Sequence, residues 1–237
     1  MKAILYFVVF IFHSTSCWTQ EIISNKTTLL NLGYGMVIPS NNLPFKTGGL
    51  PTIGLDYYWS KGFFTGIDFN YLFGSSVRTD VLKDLRTPEG YLYGNNQSIA
   101  DIQLGWQGWY SGIAWGKTFR PKGIYFSLGA GWMQYRYRIQ EDPQTYVPQI
   151  AEPYQAGYEQ LSVGWAFKQS IGYQHLDSDH AIHFRIGLLA YQAFTNLQNS
   201  YQLAPAEYVQ QSPHWFIGLN LSWILPFYSI NPDTISY

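Results

Sequence analysis

Ser212, Pro213 and His214 stand in a row, with Glu207 a short way upstream. A serine, a histidine and an acid are the parts of an activated nucleophile, the histidine taking the hydroxyl proton while the acid orients its ring. Ser-Pro ahead of an alternating apolar run is also an ordinary loop ending, and that plainer reading is preferred. His175 and His180 flank Asp177 and Asp179, which are metal-ligand types, but in a short polar turn solvent hydrates such side chains. No catalytic residue, metal or cofactor is expected. Arg136 and Arg138 alternate with Tyr135 and Tyr137 at the end of a long apolar segment. Guanidinium groups there suit bidentate pairing with phosphate, and a solvated strand extension is the competing reading. A last set, Asp56, Asp68, Asp101, Lys168, His183 and Arg185, falls on the small-residue face of alternating segments. Ions enclosed on such a face must pair or stay hydrated, so an internal polar network is expected.

The elements that position these residues are strands. Leu32, Tyr34, Met36 and Ile38 alternate with Gly33 and Gly35, and Phe63 to Phe73 alternate with Phe64, Gly66, Asp68 and Asn70. This period of two continues through runs centred near Leu55, Leu104, Leu128, Trp165, Ile186 and Leu221. About eight strands result. In the fourth, the apolar face lies on even positions to Trp106 and on odd positions from Ile113. A bulge between Gly108 and Gly112 would reset the parity, and one long bulged strand is preferred to two short ones.

Links between the runs alternate in length. Short ones fall at Ser60 to Gly62, Arg120 to Gly123 and Leu176 to Asp179. Long polar ones cover roughly 39–51, 74–98, 140–158 and 195–213. A soluble sandwich has no reason to sort its loops this way, whereas an outer-membrane barrel has short periplasmic turns and long external loops. Composition agrees. Hydrophobic residues are 46% and aromatics 19% of the 237, while charged residues are only 12%, about half the usual soluble share. A mean hydropathy of −0.13 argues against a bundle of membrane helices. A net charge of −1 gives no electrostatic case for nucleic acid.

The expected fold is therefore all-β: an eight-stranded antiparallel up-and-down transmembrane β-barrel, with strands within about 28–227. Residues 1–19 read as a cleavable signal peptide, with Lys2 ahead of the apolar run from Ile4 to Phe12. Lipidation of Cys17 is the alternative there. Residues 20–237 form the barrel domain, with a periplasmic tail at 228–237. Bulky apolar residues should face lipid and small and polar ones the interior, since eight strands leave an inside just wide enough for side chains. A soluble ligand-binding barrel is the competing architecture. Aromatics gather at strand ends: Tyr57, Trp59, Phe63, Trp223 and Phe227 at one level, Tyr71, Phe73, Trp132, Phe194 and Trp215 at the other.

On these features the chain resembles the OmpA/OmpX-like class of small bacterial outer-membrane barrels. Leu221, Trp223, Leu225 and Phe227 look like the assembly signal of such proteins, although about ten residues follow. The Gly- and Tyr-rich strands are similar to barrels of bacteria with type IX secretion, in the size class of PorT- and PorG-like components. The resemblance implies the outer membrane as location, lipid and lipopolysaccharide as surroundings (with Arg136 and Arg138 as contacts), and a structural or partner-docking role for the external loops. Some small barrels of this kind modify lipopolysaccharide, and a small channel is a further alternative.

Overall fold

The computed structural model describes residues 27–60, 62–95, 97–119, 122–141, 146–152, 154–176, 183–198 and 213–227. The expected signal peptide with Cys17, the tail, and Asp177, Asp179, His180, Glu207 and Ser212 lie outside the described residues. The long strands are β1 (Thr27–Pro39), β2 (Gly48–Ser60), β3 (Phe63–Gly74), β6 (Ile102–Thr118), β7 (Lys122–Glu141), β8 (Ser162–His175), β9 (Phe184–Leu197) and β10 (His214–Phe227). Between β3 and β6 stand a 3-10 turn at Lys83–Leu85 and a small hairpin, β4 (Leu92–Tyr93) with β5 (Ile99–Ala100). A short helix, α1 (Gln155–Glu159), precedes β8.

The eight long strands form one closed barrel in the order β1-β10-β9-β8-β7-β6-β3-β2. Each is antiparallel to both neighbours, and the seam runs from Thr28 opposite Phe227 to Pro39 opposite Phe216. The links 61–62, 119–121 and 176–183 collect at one end, here the lower, and 40–47, 75–101, 142–161 and 198–213 at the upper end. The contrast in length is less strict than expected, since 40–47 and 176–183 each span eight residues.

Alternation decides which way each side chain points. Leu32, Ile67, Ile113, Leu188 and Leu221 stand on the outer surface, and each is more than 40% exposed. Around this apolar belt, Tyr57, Trp59, Trp115, Trp223 and Phe227 lie toward the lower edge, and Tyr71, Trp132, Trp165, Phe194 and Trp215 toward the upper, all of them exposed. Phe63 and Phe73 are partly covered. Phe63 tilts against Trp59, with centroids 5.7 Å apart, and Trp132 meets Trp165 edge-on at 5.6 Å.

The bulge expected in the fourth strand is not there. Pairing of β6 advances one for one with β3, from Phe63 opposite Lys117 to Gly74 opposite Trp106. It does the same with β7, from Ile102 opposite Glu141 to Thr118 opposite Tyr125. Even positions of β6 face inward throughout, and Trp106, Tyr110, Ala114 and Thr118 are all buried. The apolar face changes parity because the surroundings change: lower down, Ile113 and Trp115 belong to the apolar outer belt, while Leu104 and Trp106 enter an apolar cover above the barrel. A register shift occurs instead between Tyr58 and Ser60, beside the tight β2–β3 turn.

The interior is also bulkier than the expectation of small and polar residues. Trp106, Tyr110, Tyr135, Tyr137, Tyr191 and Phe216 are fully buried. Glycines on the inner wall make room for these rings. A Cβ at Gly112 would lie 2.3 Å from Tyr110 Oη, and one at Gly187 would lie 2.2 Å from Tyr125 Oη. Packing at interior density leaves no slack for either clash. The inner glycines are thus the counterpart of the inner tyrosines.

Candidate functional site

Midway along the barrel, inward positions of six strands meet in a polar storey. Arg185 of β9 reaches Asp56 of β2 through Nη1 at 3.0 Å. Its Nη2 donates to Gln174 Oε1 at 2.6 Å and to Tyr58 Oη at 3.1 Å. The guanidinium also lies over the Tyr125 ring, 4.5 Å from its centroid. Asp56 accepts a second bond from Asn31 Nδ2 at 2.8 Å. Across the lumen Lys168 Nζ meets Asp68 Oδ2 at 2.8 Å. Two cations and two carboxylates cancel, which is what a low-dielectric interior requires. The side chains of this storey surround a cavity of about 40 Å³, lined by Asn70, Ser127 and Asn220 among others. That volume and polarity suit a few bound waters, which the buried Asn70 amide could serve.

Apolar layers close the storey at both ends. Below it, Leu29, Tyr58, Phe64 and Ile224 form a buried cluster. Above it the link 40–47 dips into the mouth, so that Leu43 and Phe45 are almost wholly buried. Phe45 stacks on Trp106 at 5.2 Å and meets the edges of Tyr135 and Tyr137 at 5.8 and 5.2 Å. Arg78 holds this plug in place. Its Nη1 donates to the carbonyls of Ser40 at 2.8 Å and Leu43 at 3.2 Å, and its Nη2 to that of Pro39 at 3.3 Å.

Over the plug, the remaining described parts of the long links fold into a cap with its own core. Leu82, Leu92, Val147 and Ile150 are buried there, against Ile139 of β7 and Leu104 of β6. Asp80 pairs with Arg86 beneath the 3-10 turn. A Leu82→Asp substitution puts an unpaired charge into this small core. It is expected to expose the bonds after Lys83 and Arg86 to trypsin while the barrel's own resistance is unchanged. Equal protection in parent and variant would mean the cap is not a packed unit.

The residues singled out from sequence are distributed as follows. Asp56, Asp68, Lys168 and Arg185 meet in the lumen as two pairs. His183 is buried at the lower end, where its carbonyl accepts from Ile224 N at 2.9 Å. Asp101 does not join them. It is exposed at the upper rim, because the inward positions of this strand are even and 101 is odd. Arg136 points outward but is engaged by Glu159 of α1, at 2.5 Å. Arg138 also points outward and is exposed, with no hydrogen-bond or ion-pair partner among the described residues. His214 lies inside the barrel at 1% exposure, with Nδ1 2.5 Å from Tyr135 Oη, which also meets Thr195 Oγ1 at 2.7 Å. This buried Tyr135–Thr195–His214 group was not foreseen. Inward parity along β10 is the signal that would have found it.

A closed antiparallel barrel of eight strands, apolar outside and ion-paired within, is the inverse of a water-soluble barrel, and that is the class this fold defines. Among solved structures the chain is similar to Ail, the attachment invasion locus protein of Yersinia pestis, in complex with the heparin analogue sucrose octasulfate. The identity is 8%, with 85% of this chain and 99% of that chain covered and a TM-score of 0.43. It is similar also to the outer membrane protein OprG from Pseudomonas aeruginosa, at 9% identity, 88% and 100% coverage and a TM-score of 0.42. Neisserial surface protein A gives 10% identity, 86% and 99% coverage and a TM-score of 0.36. No family model matches the sequence, and no curated protein does.

Proposed function

We propose that this chain is a non-enzymatic protein of the bacterial outer membrane, whose sealed barrel anchors a folded cap at the cell surface for docking an envelope partner. The observation that carries this reading is the continuous apolar belt around a ring with a neutralised, closed interior. In water such a belt is a liability, and in hydrocarbon it is the required solvent face. The end with the long links then faces outward, and both chain ends lie in the periplasm after export through residues 1–19. Exposed Arg138, with half-buried Arg136 beside it, meets the lipopolysaccharide zone. A place in a type IX secretion apparatus is the narrower form of this proposal and rests on the Gly- and Tyr-rich strands.

Against the alternatives stand two features. His214 is turned into the barrel, away from any lipid substrate, and apolar layers cover the lumen above and below the ions. Protein from an outer-membrane fraction is expected to migrate faster on a gel unboiled than boiled. In planar bilayers it is expected to give no discrete conductance. Recovery in a soluble fraction with no mobility shift would overturn the membrane reading, and steady single-channel steps would overturn the sealed interior.

A further inference from the structure

Between its aromatic girdles the outer belt holds one carboxamide among the described residues, and hydrocarbon offers such a group nothing to bond to. Gln169 of β8 is exposed on the outward face, four residues from Trp165 above and four from Tyr173 below. Its side chain has no hydrogen-bond partner among the described residues. Either ring is about 13 Å away along the strand, beyond the reach of a glutamine, so the amide sits at mid-depth. The other outward glutamines of the wall stand higher: Gln107 and Gln192 lie opposite Phe73 and Trp215, and Gln134 lies above Trp132. Beside Gln169 the wall is low. Its neighbour on β9 is Ala190, and Ala130 of β7 stands diagonal to it, opposite Phe167. Among the described residues these are the only alanines facing outward in the belt.

We propose that a second copy of the chain packs on this face of β7, β8 and β9, with Gln169 of each copy hydrogen-bonded to Gln169 of the other across a two-fold axis. The inference rests on the membrane reading above and goes beyond it. Copies inserted by one route have the same end up. The axis of a dimer therefore runs along the membrane normal, and equivalent residues lie at equal depth. A carboxamide is both donor and acceptor, so two of them at one depth satisfy each other with a pair of N–H···O bonds. A lipid supplies neither group at mid-depth, and a different protein has to bring a polar group of its own to that level. The alanines let the two walls come close enough for the bonds to form, as small residues do between membrane helices.

The test is sedimentation equilibrium of the barrel purified from an outer-membrane fraction, in density-matched micelles at a series of protein-to-detergent ratios. A monomer–dimer equilibrium is expected. Gln169→Leu should weaken it about tenfold, the scale of hydrogen bonds between membrane segments. Ala190→Phe keeps the amide but holds the walls apart, and should weaken it at least as much. Leu55→Phe, on β2 at the far side of the ring from β8, should leave it unchanged. Gln169→Leu protein is expected to stay heat-modifiable and to unfold in urea no earlier than the parent, since it takes an amide out of hydrocarbon. The lost association is then not a lost fold. A heat-modifiable barrel that stays monomeric at every ratio, or a dimer indifferent to Gln169→Leu, would overturn the inference and leave the membrane reading standing. A stoichiometric complex with a different protein, lost on Gln169→Leu, would give the face to that partner and overturn the second copy. A chain recovered soluble, without heat-modifiability, would overturn both readings.

Discussion

An Arg185→Met barrel is expected to unfold in urea with about 3–5 kcal/mol less stability than the parent, the usual consequence of removing one partner of a buried ion pair. The loss does not measure the attraction alone. Asp56 is left as a charge in a space that is otherwise filled by Asn31, Tyr58 and Phe64, with no second cation paired with it among the described residues. Gln174 and Tyr58 lose their donor as well. The double variant Asp56→Asn with Arg185→Met carries no charge at the pair and keeps an acceptor for Asn31, so it should recover most of the loss. Non-additivity of this kind is the signature of direct coupling. If Arg185→Met costs less than about 1 kcal/mol, the pair behaves like an exposed one, and the lumen is open to water.

The second large effect comes from the outer face. Leu221 lies at the centre of β10, outward and 56% exposed, midway between Trp215 and Phe227. Arginine at that point should cost about 2–4 kcal/mol when the barrel folds into vesicles, falling to about 0–1 kcal/mol for arginine at Trp215 near the interface. On a water-soluble barrel both changes are surface substitutions, worth within about 0.5 kcal/mol of zero. Urea titrations of folding into vesicles compare the two directly. A depth profile supports hydrocarbon around the belt, and equal small costs would return the chain to the soluble alternative.

Strand number, strand direction and the inward face of most strands were legible in the sequence because a period of two leaves little choice of face once one side is bulky. The lengths of the links then indicated which end is which. What the sequence left open follows from physics that alternation does not carry. Asp68 and Lys168 are exactly the kind of ions expected to pair, but a hundred residues separate them, and only the shear of the closed ring decides that they meet rather than Asp68 and Arg185. Leu104 and Trp106 were misread because parity was taken to report lipid alone, when a second apolar environment lies above the rim. The same assumption hid Tyr110, Tyr135 and Tyr191, large residues admitted inside by glycines on neighbouring strands. Asp101 was assigned to the lumen by its alternation with Ile102 and Leu104, two residues that turn inward to the cap. Within the long links, the cap's short elements carry too few residues for any period to register.

The ring closes between its first and last strands, β1 and β10, whose partners stand at opposite ends of the chain. Every other pairing in the ring joins long strands that follow one another, with only the small β4–β5 hairpin intervening between β3 and β6, so it forms as a hairpin or a simple extension of the sheet. The seam alone must wait for nearly the whole polypeptide, and contacts so distant in sequence slow folding. Until it forms, two long edges with unpaired amides are available to any passing strand. The polar storey, by contrast, has to be assembled while the wall is still open, since afterwards neither ions nor water have a way in. Closure is thus the step at which this molecule commits, and a chaperone that shields both edges until then would decide its yield more than any single contact inside.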